Sequence, residues 1–228
     1  MQQRCLEVRR LGEVGYANAL RLQKDIESDV IDRRDQDYLL LLEHPHTFTL
    51  GRRSKNDGVL ATGEMLRNLG VDVFETNRGG RVTYHGIGQI VGYPIISLSP
   101  NREDVHKYLR DLEEVLIRAM ADFGIDAFRI DDLTGVHTAE GKIAAIGVHI
   151  KRWVTTHGFA LNVNTDLSYY NWIIACEGEP VTSMERLLGR EVDMAEVEDR
   201  IEDNFRDVFD YVNRPMVVER PEVFTVVV

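Results

Sequence analysis

Residues 141–164 read GKIAAIGVHIKRWVTTHGFALNVN, and this stretch decides the fold. KIAAIGVHI and HGFALNVN are both short apolar runs with the character of strands. They lie too close together for the crossover helix of a regular βαβ unit, which argues against a purely parallel sheet.

Working outward, YLLLLEHP at 38–45 is a short apolar run ended by Pro45 and reads as a buried strand. Alternation continues through Thr47, Phe48, Thr49 and Leu50, then stops at the turn cluster Ser54-Lys55-Asn56-Asp57-Gly58. Further strands are expected at 4–9, at 71–76 and in IVGYPIISL. Helices are expected at 15–34, at 64–69 closed by Gly70, and at 103–123. The last is the clearest: Val105, Leu109, Leu112, Leu116, Met120 and Phe123 recur at spacings of three and four, with Gly124 at the C-terminal cap. Thr182 and Glu185 have capping-box spacing ahead of a short helix, and a polar-faced helix follows at 193–211. There is no repeat or linker. The expectation is one α+β domain over 1–228, its sheet mixed and mostly antiparallel and flanked by helices. Residues 214–228 form a last strand or a loosely held tail.

The 228 residues can bury a substantial core. A net charge of −11, from 27 basic and 38 acidic residues, argues against nucleic-acid binding, where affinity comes largely from neutralised phosphates. No stretch approaches the roughly 18 apolar residues of a membrane span, and MQQRCLEVRRLGEVGY has no apolar signal core. With only Cys5 and Cys176 there is no disulfide framework, so a cytoplasmic protein is the expectation. His44 and His46, or His149 and His157, have no zinc spacing, and no metal is expected.

Three features carry chemistry. Arg78-Gly79-Gly80-Arg81-Val82-Thr83-Tyr84-His85-Gly86-Ile87-Gly88-Gln89 combines backbone freedom with many donors. It leads into a strand rather than a helix, so it is not a dinucleotide loop; a tight bulged hairpin is the plainer alternative. Cys176 lies between an apolar run and a loop of Gly, Pro and acids, where a thiol could be presented, although a lone cysteine is more often a small buried hydrophobe. Cys5, in a strand, is assigned that buried role. Lys142 enters an apolar strand beside Gly141, an unusual setting for a solvated lysine; protection of a sheet edge is the alternative.

Together, RGGRVTYHGIGQ, GKIAAIGVHIKRWVTTHGFALNVN and ACEGEPVTSM resemble the octanoyltransferase family of lipoate biosynthesis, in motif order and spacing, over residues 35–190. The resemblance implies the catalytic fold of biotin and lipoate protein ligases. It also implies an acyltransferase that moves an octanoyl group from acyl carrier protein to a lysine of a lipoyl domain. The acceptors implied are 2-oxoacid dehydrogenase E2 subunits and the glycine cleavage H protein. The family's acyl-thioester cysteine falls on Cys176 and its lysine on Lys142. Its substrate-contacting segments fall on Arg78, Gly79, Gly80, Arg81, Val82, Thr83, Tyr84 and His85, on Ala145, Ile146 and Gly147, and on Gly158, Phe159 and Ala160. The family's pattern has proline at Ile87, Pro-Cys-Gly at Ala175-Cys176-Glu177, and often tryptophan at His137. A carboxylate at Glu177 opposes formation of a neighbouring thiolate.

The exchange of a thioester for an amide is downhill and requires no cofactor. A free thiol, with pKa near 8.5, is only slightly ionised at neutral pH, and a neighbouring ammonium favours the thiolate. A partly desolvated lysine can donate and take up protons in turn. Backbone N–H groups at Ile146 and Gly147 are expected to form the oxyanion hole. Arg52, Arg53 and Lys55, or Lys151 and Arg152, are the basic clusters on which an acidic carrier could dock. The alternatives are an ATP-dependent lipoate or octanoate ligase on the same fold, a thioesterase, and a non-catalytic protein that binds lipoyl domains.

Overall fold

In the computed structural model, which describes residues 5–33, 35–54, 58–174 and 179–211, the chain begins with β1 (Cys5–Glu13), α1 (Tyr16–Arg33), β2 (Gln36–Glu43) and β3 (Thr47–Leu50). It continues through α2 (Gly63–Leu69), β4 (Asp72–Glu75), β5 (Val82–His85), β6 (Gln89–Ile95) and α3 (Val105–Asp122). Then come β7 (Phe128–Ile130), β8 (Leu133–Thr138), β9 (Gly141–Lys151), β10 (Val154–Asn162), a 3-10 helix at Leu167–Trp172, α4 (Met184–Leu188) and α5 (Met194–Val208). The tail at 214–228 lies outside the described residues.

The 141–164 run is a long antiparallel hairpin, with Ala145 opposite Ala160 and Gly147 opposite Gly158. Among the described residues it belongs to a seven-stranded sheet ordered β1-β2-β6-β10-β9-β8-β7, and β4-β3-β5 form a second sheet. Among the described strands only β1 with β2 and β3 with β4 run parallel, so the structure is α+β with a mixed, mostly antiparallel sheet.

The apolar run Leu39–Leu42 is continuous because both faces of β2 are covered. Leu39 and Leu41 join a core with α3 and α5, while Leu40 and Leu42 join one under α1. In α3, Leu112, Val115, Leu116 and Met120 are fully buried, worth about 1.5–3 kcal/mol each. Asp104 starts the helix by accepting from Lys107 N at 3.0 Å. Val105 is exposed and Leu109 half-buried, so the apolar stripe outruns the core at this end and lines the cleft described below.

Three expectations are corrected. The short helix α4 is capped by Ser183, whose Oγ accepts from Arg186 N at 3.2 Å. Thr182 instead gives its N–H to Lys142 O at 3.0 Å, because this segment is stitched to β9. Cys5, at the start of the edge strand β1, is half-buried rather than buried. The glycine segment is no hairpin: β5 pairs with β3, whereas β6 pairs with β2 and β10. The turn between them is fixed to the large sheet, with Gly88 N donating to Glu43 Oε2 at 2.6 Å and Asn164 N donating to Gly88 O at 2.8 Å.

Candidate active site

Where the 78–83 segment passes over β9 and β10, it encloses a cleft of about 750 Å³. The close approach depends on Gly147: a Cβ there would stand 2.9 Å from Gly79 O. Gly79 N–H donates to Val148 O at 2.9 Å, tying the segment to the strand. Arg78 anchors it from the other side. Its guanidinium is buried and donates to Thr49 O at 2.6 Å, to Thr49 Oγ1 and to Gly79 O. The turn after β3 zips onto the same loop through Gly51 N to Arg81 O, Arg52 N to Arg78 O and Arg53 N to Gly80 O.

Most of the residues expected to contact substrate line this cleft. Arg78, Gly79, Gly80, Arg81, Val82, Thr83 and His85 are there, with Ala145, Ile146, Gly147, Gly158, Phe159 and Ala160. Tyr84 is not. Alternation along β5 turns it from Thr83 and His85 into a separate core with Phe48, where it is 0% exposed and its hydroxyl meets His46 Nδ1 at 2.8 Å.

One part of the cleft wall is a buried polar cluster that the motifs did not single out. Tyr16, Tyr93 and His157 join His85 there. His157 has φ +56 within β10; its Nε2–H donates to Asn77 Oδ1 at 2.7 Å, and its backbone N–H donates to Gln23 Oε1 of α1. Behind them His44 donates from Nδ1 to Val14 O and accepts from the Tyr93 hydroxyl at 2.8 Å. Burial holds His44 down at about 4. Burial, with the Arg78 charge adding to it, holds His157 at about 3. His85 is held well below the usual range by burial first, then by His44 and Arg78. The wall is therefore polar but uncharged at its histidines near neutral pH. Burial also pushes the Tyr16 phenol up to about 12, keeping it protonated.

Lys142 also lines the cleft. The residue is only 7% exposed. Its Nζ donates to Thr134 O at 2.9 Å and stands 4.0 Å from Glu179 Oε2. The stem lies over Gly135, which has φ +132 and where a Cβ would be 2.6 Å from Lys142 Cε. The backbone of Lys142 is held on both sides by the 180–182 segment, accepting from Thr182 N and donating to Pro180 O at 2.9 Å. The lysine Nζ is thus held at the cleft wall by a carbonyl acceptor with a carboxylate nearby. Cys176 and Glu177 lie outside the described residues. Glu179 is the residue that reading by motif passed over; its signal was proximity to Cys176 along the chain.

The family model of the lipoyl protein ligase A/B catalytic domain matches residues 15–206. The chain is 49% identical over 216 residues to the octanoyltransferase of Solibacter usitatus, covering 94% of this chain and 97% of that one. It is 46% identical over 209 residues to the octanoyltransferase of Caldicellulosiruptor bescii, covering 90% and 92%. Among solved structures, a lipoate-protein ligase A bound with ATP superimposes with a TM-score of 0.75 at 17% identity, covering 96% of this chain and 90% of that chain. A bipartite lipoate protein ligase from Thermoplasma acidophilum gives 0.71 at 17% identity, covering 96% and 88%. These structural likenesses bear on the fold.

Proposed function

The chain belongs to the octanoyltransferase family, within the lipoyl protein ligase A/B catalytic group, and on that premise we propose that this acyltransferase works through an octanoyl thioester on Cys176 with Lys142 as acid and base. The observation that carries the reading is the setting of Lys142. It is a buried amine aimed into a cleft, and Glu179, three residues along the sequence from Cys176, is packed against it.

In the first half-reaction Cys176 Sγ attacks the carbonyl carbon of octanoyl-acyl carrier protein. The bond from that carbon to the pantetheine sulfur breaks, and the Lys142 ammonium protonates the departing thiolate. In the second, the ε-amine of a lipoyl-domain lysine attacks the enzyme thioester. Neutral Lys142 takes the amine's proton as the carbon–Sγ bond breaks, leaving an amide and the Cys176 thiolate. Proton positions return to their starting state, and no oxidant or nucleotide enters. Backbone N–H groups of Ile146 and Gly147, on the cleft-lining part of β9, would receive the developing oxyanion. The acyl chain would lie between the 78–83 segment and the small side chains of Ala145 and Ala160.

Of the two basic clusters, the one with Arg52 and Arg53 lines the cleft, its Lys55 lying outside the described residues, which makes that side the better docking face for an acidic carrier. Lys151 lies near Glu27 of α1, at 4.0 Å. No described helix is long and apolar enough to cross a membrane. The test is incubation with octanoyl-acyl carrier protein and intact-mass measurement. A gain of one octanoyl group is expected in the wild type and not in Cys176→Ala. Transfer to a lipoyl domain at wild-type rate by Cys176→Ala would overturn the scheme.

A further inference from the structure

Lys142 has a neighbour that the mechanism does not use. His137 of β8 is its register partner across the β8–β9 pair, next to the Thr138–Gly141 pair that closes the tight turn at 139–140. The residue is 3% exposed, and neither ring nitrogen has a hydrogen-bond partner among the described residues. The same is true of Glu179 Oε2, which lies 3.5 Å from His137 Nε2 and 4.0 Å from Lys142 Nζ. A buried polar atom without a partner is costly, and two of them facing one another beside a reactive lysine need a reason.

We propose that His137 and Glu179 are positioning residues for Lys142: His137 Nε2–H closes onto the Glu179 carboxylate, and that carboxylate holds the lysine Nζ aimed into the cleft. The inference rests on the reading of Lys142 as acid and base. Burial, and next the Lys142 charge, keep the imidazole below its ordinary titration range, so it is neutral with a single ring proton. A neutral ring that donates from Nε2 fixes one carboxylate orientation without competing for the ammonium. Glu113 is the other acid that bears on this ring, and it is already engaged by Arg110 and by Gly135 N. The Thr134 carbonyl gives the ammonium a directional acceptor, and Glu179 supplies a further fixed point for holding the donor in line.

The test uses Glu179→Gln and His137→Phe, each in the wild-type and the Lys142→Ala background. Single-turnover acylation, followed by mass over hours, keeps the slow background measurable. Each substitution should slow octanoyl transfer about tenfold in the wild type, with KM for the lipoyl domain moving less than about twofold. Neither should slow it further when Lys142 is absent. Equal losses in both backgrounds, or wild-type rates, would overturn the positioning role. Should Lys142→Ala itself transfer at wild-type rate, the acid/base reading fails and the positioning role with it. The wild-type protein gives a check that needs no variant to fold. Long-range 15N spectra of His137 should show the Nε2–H tautomer, and an Nδ1–H tautomer sinks the proposal.

Discussion

Glu113 offers a quantitative test of how the lysine's bed is built. It sits on α3, is 1% exposed, and accepts from Gly135 N through Oε1 at 3.0 Å. Its other oxygen accepts from Arg110 Nη1 at 2.7 Å and lies 3.2 Å from Arg129 Nε. Gly135 is the residue on which the Lys142 stem rests, so this carboxylate ties the helix to the floor under the amine. In Glu113→Gln the amide oxygen can still accept from Gly135, while its NH2 group faces two guanidinium ions. A charged hydrogen bond is worth about 1.5–3 kcal/mol when fully buried. Both arginines are partly exposed, and water can take over part of their hydrogen bonding. The two ionic contacts together then contribute about 2 kcal/mol. For a chain of this size that is a fall in Tm of about 4–8 °C, at about 2–4 °C per kcal/mol. Calorimetry reads the stability, and octanoyl transfer below the transition reads the lysine. The variant should lose activity beyond its unfolded fraction, whereas Arg110→Gln should cost under about 1 kcal/mol. A Tm shift below about 1 °C with full activity would show that the carboxylate does not hold β8 in place.

Three further outcomes are expected. The histidines held neutral by burial make stability depend on pH. Unfolding frees imidazoles that bind protons below about 6.5, so the contribution is complete above that pH and is lost as pH falls toward about 4 for His44 and about 3 for His157. The loss is about 1.4 kcal/mol per unit for each histidine; urea midpoints between pH 7.5 and 5 should fall more steeply in the wild type than in His44→Gln, and parallel slopes would refute this. Gly147→Ala places a Cβ 2.9 Å from Gly79 O, so the loop must lift; a cost of about 1–3 kcal/mol is expected, with weaker binding of octanoyl substrate, and unchanged affinity would count against the 78–83 segment as the cleft's lid. Ser183→Ala should cost about 1 kcal/mol by chemical denaturation and Thr182→Ala should leave the helix cap intact; the reverse order would restore the cap to Thr182.

What could be read along the chain was what depends on neighbours in sequence. The periodicity of α3 and the close spacing of β9 and β10 are local patterns, and both elements formed as expected. The leucines of β2 could be recognised as buried, but not that they feed two cores, because that depends on which helices cover each face. The segment at 82–95 reads as one hairpin because its turn is rich in glycine. Its strands separate into two sheets because Gly88 is tied to Glu43 and Asn164, both far from it in sequence. Val105 and Leu109 belonged to a correct apolar stripe, yet the stripe's end faces a cleft; periodicity reports which face is apolar, not what covers it.

The same limit explains the site. A lysine in an apolar strand announces itself by residue type, so Lys142 could be singled out beside the glycine segment. The groups that hold it have no such signature. Thr134 acts through its carbonyl, which every residue carries, and Gly135 acts through the side chain it lacks. Glu179 is one acid among many in a chain of net charge −11. His137 is set opposite Lys142 by the two-residue turn at 139–140, a pairing that can be read only once β8 and β9 are taken as one hairpin. Beyond that pair a bulge shifts the register and sets Val136 opposite Ala144, while Glu179, which approaches both side chains, comes from a segment that no turn spacing relates to them. A buried lysine of this kind is recognisable by chemistry, while its surroundings are a property of strand pairing and of contacts with segments distant along the chain.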